Sequence, residues 1–173
     1  MDKPEIIKAY RQSVGASRFI GKRYTNSDRG PSGLFDIKWM EWNEKGWFDL
    51  IQKQIKGSFK VSYEESKSPI GLMCQETGKF ETFEYWIGYF TPENTDVPEG
   101  FEYVDFPKSE LGVCWMYGNE DEVFCLEASC ATRLTNEGFE IITDWLFERY
   151  AYPRFDVPDE KGNIILDICF FIK

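Results

Sequence analysis

Residues 84–107 read EYWIGYFTPENTDVPEGFEYVDFP, two aromatic-rich segments separated by a polar break. Alternation in the first segment places Phe83, Tyr85, Ile87 and Tyr89 on one face and Glu84, Trp86 and Phe90 on the other, the pattern of a strand. FEYVDFP (101–107) reads as a second strand. Between them Pro92, Pro98 and Gly100 interrupt the pattern, and Glu93, Asp96 and Glu99 keep residues 91–100 extended and solvated. The break divides the chain, and the fold turns on whether the two halves are alike.

The order of predicted elements says that they are. SRFIGKRYT (17–25) predicts a strand. From Leu34 the recurrence of Phe35, Trp39 and Trp42 predicts a helix, with Gly46 as its stop and WFDLI as a short second turn. KSPIGLMCQ (67–75) and KFETFEYWIGYF (79–90) predict two strands joined by the turn signal ETG. In the second half FEYVDFP and ELGVCWMYG (110–118) predict a strand pair, and EVFCLEASC (122–130) one more short strand. Thr135 or Asn136 would cap a helix running to about Tyr150, its stripe of Phe139, Ile142, Leu146 and Tyr150 widened by Ile141 and Trp145. RFDVP and IILDICFFIK would close the chain as two strands. Setting Pro69 against Pro153 superposes the turn glycines Gly78 and Gly162 and, after a one-residue deletion, Glu84 and Asp167. The expected fold is α+β: duplicated strand–helix–strand–strand units forming one antiparallel sheet with two main helices and a central ligand groove. Within a single domain spanning 1–173, the pseudo-repeats would cover about 14–90 and 101–173, with the hinge at 91–100.

Composition narrows the function. A net charge of −10 repels a phosphate backbone, so direct nucleic-acid binding is not expected. The absence of histidine removes Ser–His and Cys–His dyads and the commonest zinc ligand, so no metal and no cofactor is expected. The five cysteines are odd in number and form no C-x-x-C pair, which fits a reducing compartment. MDKPEIIKAYRQ lacks the apolar core of a leader, and no apolar run approaches the ~20 residues of a membrane span. A cytoplasmic protein, monomeric or weakly dimeric, is expected. Aromatic residues make up 17% of the chain, enough to fill a core or to line a cavity as well.

SRFIGKRYT, the Trp-bearing helix, SPIGL, EYWIGYF and above all VPEGFEYVDFPKSELGVCWMYG resemble the GyrI-like family, the effector-binding domains of bacterial transcription activators. The resemblance covers about residue 14 to the end. It implies a free-standing member rather than a BmrR-like or AraC-type, Rob-like regulator with a DNA-binding domain attached. It also implies a duplicated α+β fold enclosing an aromatic cavity with a buried carboxylate, of the kind multidrug-sensing members use for bulky lipophilic cations. Some free-standing relatives hydrolyse cyclopropanoid genotoxins with a glutamate and an aromatic partner, and the gyrase inhibitor that names the family is itself free-standing. The family's pocket glutamate lies in a motif like f-E-v-Y, for which Phe155-Asp156-Val157-Pro158 is taken as the nearest match. Its acid is one methylene shorter.

Three functions follow in order: binding or sequestering a small lipophilic molecule, hydrolysis of a strained electrophile, and a gyrase-inhibitor-like protein interaction. The expected ligand-binding residues are Trp39, Trp42, Leu72, Tyr85, Trp115, Trp145, Phe155, Asp156 and Ile168. No residue is assigned as catalytic outright; Asp156, Glu148 and Tyr85 are the candidates. Glu148 reads more readily as a solvated helix residue near the end of the second helix, and Glu84 and Asp167 as strand-surface acids. Trp39 and Trp42 share a helical face that serves either the core or a pocket wall. Gly88 would open a gap for a ligand or a helix on the face of Trp86.

Overall fold

The computed structural model describes residues 3–57, 65–75 and 83–173. Its eight strands are β1 (Glu5–Val14), β2 (Ser17–Tyr24), β3 (Ile70–Cys74), β4 (Glu84–Pro92), β5 (Glu102–Phe106), β6 (Ser109–Asn119), β7 (Ile141–Arg149) and β8 (Asn163–Ile172). They form one sheet in the order β1-β6-β8-β7-β3-β4-β2-β5, with every recorded pairing antiparallel. The order is symmetric: equating β1 with β5, β2 with β6, β3 with β7 and β4 with β8 maps it onto itself. Each edge strand pairs with the other half, β1 on β6 and β5 on β2. The central seam is β3 on β7, with Leu72 opposite Phe147.

Helices α1 (Asp36–Lys45) and α2 (Trp47–Gln52) are divided by Gly46, which takes the left-handed conformation at φ 63°. The helix of the second half, α3, spans Glu127–Asn136 and buries Cys130 and Leu134 one turn apart. The helix predicted from Thr135 to Tyr150 is not there; that stretch is the turn after α3 followed by β7. Gly138 explains the boundary. At φ 90° its N–H bonds the carbonyl of Thr135, while the Phe139 N–H reaches back to Leu134, which closes the last turn of α3. Beyond it Ile141, Ile142, Thr143 and Trp145 favour a strand, where β-branched and aromatic side chains keep their rotamers. EVFCLEASC is accordingly a turn leading into α3, not a strand, and RFDVP is a run of turns. β1 begins at Glu5, upstream of the expected start of the first half. The ETG turn and residues 79–82 of the predicted strand lie outside the described residues.

The helices cover one face of the sheet, here called the front. There Tyr24, Trp42, Tyr85, Ile87, Tyr89, Leu134 and Ile168 belong to one buried cluster. The back face carries Phe19, Leu72, Trp86, Phe90, Phe106, Phe147 and Phe171, and none of the described helices covers it. The sheet curls until its own strands bury it: Phe106 on edge strand β5 stacks on Phe171 of β8, with centroids 4.9 Å apart. Gly88 opens no gap in this face. It pairs with Gly21, and a β-carbon on it would lie 2.0 Å from the Ile20 carbonyl oxygen, so the backbone of β2 fills the space. Among the described residues no helix is long and apolar enough to cross a membrane.

Glu84 and Asp167 are buried in the back face, not exposed on strand surfaces as expected. They are equivalent by register: laying Leu72 on Phe147 puts Cys74 on Arg149, whose neighbours across the ladder are Glu84 and Asp167. Each is paired with arginine. Arg23 lies 3.3 Å from Glu84, and the fully buried Arg149 bonds Asp167 at 2.7 Å. Arg154 joins Asp167 to Glu65, and Gln12 accepts from Arg149 at 2.8 Å. Removing one charge from such a cluster leaves the others buried without compensation. Asp167→Asn is therefore expected to lower unfolding free energy in urea by about 3–5 kcal/mol. A loss below about 1 kcal/mol would show the pair to be dispensable.

Candidate functional site

A cavity of about 670 Å³ opens on the front face between α1–α2 and the segment that leads into α3. Its floor is the central seam, where Met73 of β3, Tyr85 and Tyr89 of β4, and Glu148 and Tyr150 at the end of β7 point forward. Phe35, Trp39 and Phe48 wall one side, and Phe124, Cys125 and Glu127 the other. Phe155 closes over Tyr150, ring centroids 4.7 Å apart.

Glu148 is the feature that distinguishes this cavity. Strand alternation sends Glu148 and Tyr150 forward while Phe147 and Arg149 go back, so two adjacent residues carry opposite charges to opposite faces. Glu148 is 5% exposed, and among the described residues it makes no ion pair with arginine or lysine. Tyr150 Oη donates to its Oε2 at 2.7 Å, and the Tyr85 phenol faces the same carboxyl from across β3 and favours its ionised form. Trp39 Nε1 in turn donates to Tyr85 Oη at 2.9 Å, and Phe35 stacks flat on the Tyr85 ring at 4.2 Å. Burial pushes the Glu148 carboxyl up from its ordinary 4.5 to about 7, an effect that the Tyr150 hydrogen bond moderates. Burial likewise raises both phenols well above their ordinary range, so they remain donors at neutral pH. Among the described residues that line it, Asp36, Glu120, Glu127 and Asp156 stand against one cation, Arg29, which lies over Phe35 at 4.7 Å. The field at the entrance is negative.

Of the residues expected at the site, Trp39, Tyr85, Phe155 and Asp156 line this cavity. Asp156 does so from an exposed position, so the buried carboxylate is Glu148 and not Asp156. Glu148 is a strand residue in the cavity floor rather than a solvated helix residue. Trp42 is fully buried beneath α1, where it donates to Tyr24 Oη at 2.9 Å. Leu72, Trp115 and Trp145 belong to the back face; Trp115 meets Tyr10 edge-on, and Trp145 packs against Phe106. Ile168 is front-face core, opposite Glu148 across the ladder but outside the lining. Tyr150, Phe35, Phe48 and Cys125 were not expected there. The sequence does hold a signal for the central pair: Phe147-Glu148-Arg149-Tyr150 fits the f-E-v-Y pattern better than residues 155–158. It was hidden by the helical reading of that stretch.

No family model and no curated protein matches the sequence. Solved structures do match in shape. SAV2435, solved bound to tetraphenylphosphonium, superposes with a TM-score of 0.64 at 13% identity over 96% of this chain and 94% of its own. The EcmrR C-terminal domain gives 0.59 at 10% identity over 96% and 97%. A hydrolase from Listeria innocua gives 0.52 at 13% identity over 99% and 92%. The chain thus shares the α+β fold of these proteins, the fold class that the resemblance implies.

The raised carboxyl has a consequence for stability. Between pH 4.5 and 7 the folded chain keeps a proton on Glu148 that the unfolded chain has released, so the contribution of this group falls as pH rises through that window. The loss amounts to roughly 3 kcal/mol. Glu148→Gln is expected to flatten the stability profile between pH 4.5 and 7 and to be the more stable protein at pH 8. Parallel urea profiles for the two proteins would contradict the raised carboxyl.

Proposed function

We propose that the protein binds small lipophilic molecules, cations above all, in the front-face cavity. The observation that carries this reading is a buried carboxylate without a counter-cation among the described residues, set in a floor and walls of aromatic rings. Aromatic faces attract an organic cation through their quadrupoles and supply apolar contact, and Glu148 supplies the charge that a neutral cavity lacks. The acidic rim raises the local concentration of cations at the mouth. Tetraphenylphosphonium, the ligand of SAV2435, belongs to this chemical class, and the likeness in fold supports the reading.

A second reading is favoured by one specific feature: a carboxyl poised near neutrality beside two phenols is suited to moving a proton. Hydrolytic opening of a strained electrophile would use Glu148 as the acid or base and Tyr85 to orient the substrate. The shared fold of the Listeria innocua hydrolase is consistent with it. Turnover of a cyclopropanoid compound, followed by mass spectrometry and abolished in Glu148→Gln, would establish hydrolysis; binding without turnover leaves the first reading alone.

Titration with tetraphenylphosphonium is expected to quench tryptophan emission through Trp39. Ionised Glu148 is needed, so affinity should fall about tenfold per pH unit below about 7 and level off above it. Glu148→Gln should weaken binding at pH 8 by tenfold or more and remove the pH dependence, while the neutral triphenylphosphine oxide should bind both proteins alike. Undiminished affinity in Glu148→Gln would refute the role of the carboxylate.

A further inference from the structure

Tyr85 and Glu148 meet although their strands do not. β3 runs between β4 and β7, so the phenol has to cross a strand and span roughly 9–10 Å of sheet to reach the carboxylate. The residue it crosses is Gly71, which pairs with Glu148 on one side and with Ile87 on the other. A β-carbon on Gly71 would lie 2.4 Å from Tyr85 Oη, 3.1 Å from Tyr85 Cζ and 3.3 Å from Glu148 Oε2. The first contact is impossible without movement. Gly71 does not have a positive φ, so the backbone conformation does not call for glycine there, and a strand interior is otherwise a poor place for one. What occupies the missing side chain's place is the phenol.

We propose that Gly71 is a positioning residue of the site: its empty front-face position lets Tyr85 cross β3 to Glu148, so that two phenols hold the carboxylate ready for a cation. This rests on the reading of Glu148 as the cation-accepting group. The two donors arrive differently. Tyr150 lies two residues along the chain, just past the end of β7, and reaches Glu148 unaided, whereas Tyr85 depends on the clearance over β3. The ring cannot sidestep an added methyl, because Phe35 stacks on it and Trp39 holds its oxygen from α1. A side chain at position 71 therefore displaces the hydroxyl from Glu148. Losing a donor and gaining an apolar neighbour both favour the neutral carboxyl, so the site changes from cation-accepting to one suited to neutral ligands near pH 7. Besides Tyr85 from β4 and Tyr150 just after β7, the charged or titratable groups around Glu148 among the described residues are Glu127 on α3 and Cys125 before it. Asp36, Glu120, Asp156 and Arg29 stand at the rim. All of them lie beyond the atoms that the added carbon meets first.

The test compares Gly71→Ala, Tyr85→Phe and the double variant with the unaltered chain by two readouts. The first is the titration midpoint of Glu148 in the ligand-free protein, followed by carboxyl carbon NMR. The second is affinity for tetraphenylphosphonium from pH 6 to 9. Each single variant should raise the midpoint by about one pH unit, with affinity at pH 7 falling up to about tenfold and recovering at pH 9. The double variant should be no worse than Tyr85→Phe, since the phenol is already lost. An unmoved midpoint in Gly71→Ala, or effects that add in the double variant, would overturn the proposal. Should Gly71→Ala fail to fold, recovery in Gly71→Ala/Tyr85→Phe supports a collision at Oη, and failure of both counts against it. If the unaltered chain binds no cation at any pH while the midpoints move as expected, the binding reading falls and the positioning role stands.

Discussion

The antiparallel pairing of β3 with β7 is the contact on which both halves of the molecule depend. Among the described residues it is the one ladder that pairs an inner strand of one half with an inner strand of the other, and five paired positions span it, from Ile70 opposite Arg149 to Cys74 opposite Trp145. Register here decides everything above and below the sheet. With Gly71 opposite Glu148, the acid faces forward beneath the helices and a clear path opens to it from β4. A slip of one residue would send Glu148 into the back face and Arg149 into the aromatic cavity, because strand side chains alternate with a period of two. Hydrophobic patterning guards against that slip: Leu72 and Phe147 have to stay on the curled back face, where Phe147 meets Phe90 and Phe171.

The two faces handle buried charge in opposite ways. In the back, Asp167 lies between two guanidiniums and Glu84 against a third, each within an ion-pair network that fixes geometry. In front, the partners of Glu148 among the described residues are phenols, which donate hydrogen bonds but cancel no charge. A buried ion without a counter-ion is costly, and the cost shows as a carboxyl displaced to the neutral range. Structural economy would place an arginine there, as it does one residue away. Its absence leaves an unbalanced charge only where the walls are aromatic and the mouth is acidic, which is where an external cation would complete the set.

How far this was legible in the sequence depended on how much each signal was local. The break at Pro92–Gly100, the alternation of β4 and the Gly46 stop are set by neighbouring residues, and each reads correctly from the chain alone. The stretch IITDWLFERY does not, because its apolar residues satisfy helical and extended spacing at once. Gly138 held the deciding information: a glycine two residues after Asn136 ends a helix more naturally than it begins one. Reading it as a stop would have turned residues 141–149 into a strand and Phe147-Glu148-Arg149-Tyr150 into a motif with Glu148 and Tyr150 on one face. A helical reading of the stretch leaves residues 155–158 as the nearest match, and their Asp156 reaches the cavity only at its exposed rim. β1 escaped notice for another reason: as an edge strand that exposes Ile7, with charges among its apolar residues, it carries no clean alternation.

The crossing of Tyr85 over Gly71 was beyond any sequence argument, since it joins three strands whose order only the fold supplies. It also shows why the cavity's chemistry is finely set. Were Glu148 bare, desolvation would hold it protonated to a higher pH, and a cation would recruit it less readily near pH 7. Were it paired with a guanidinium, it would ionise readily but have no charge left to offer. Phenol donors lie between these limits. They lower the cost of ionisation without neutralising the result, and their number tunes where the balance falls. One donor comes with the strand that carries the acid; the other exists only because a side chain is missing on the strand between.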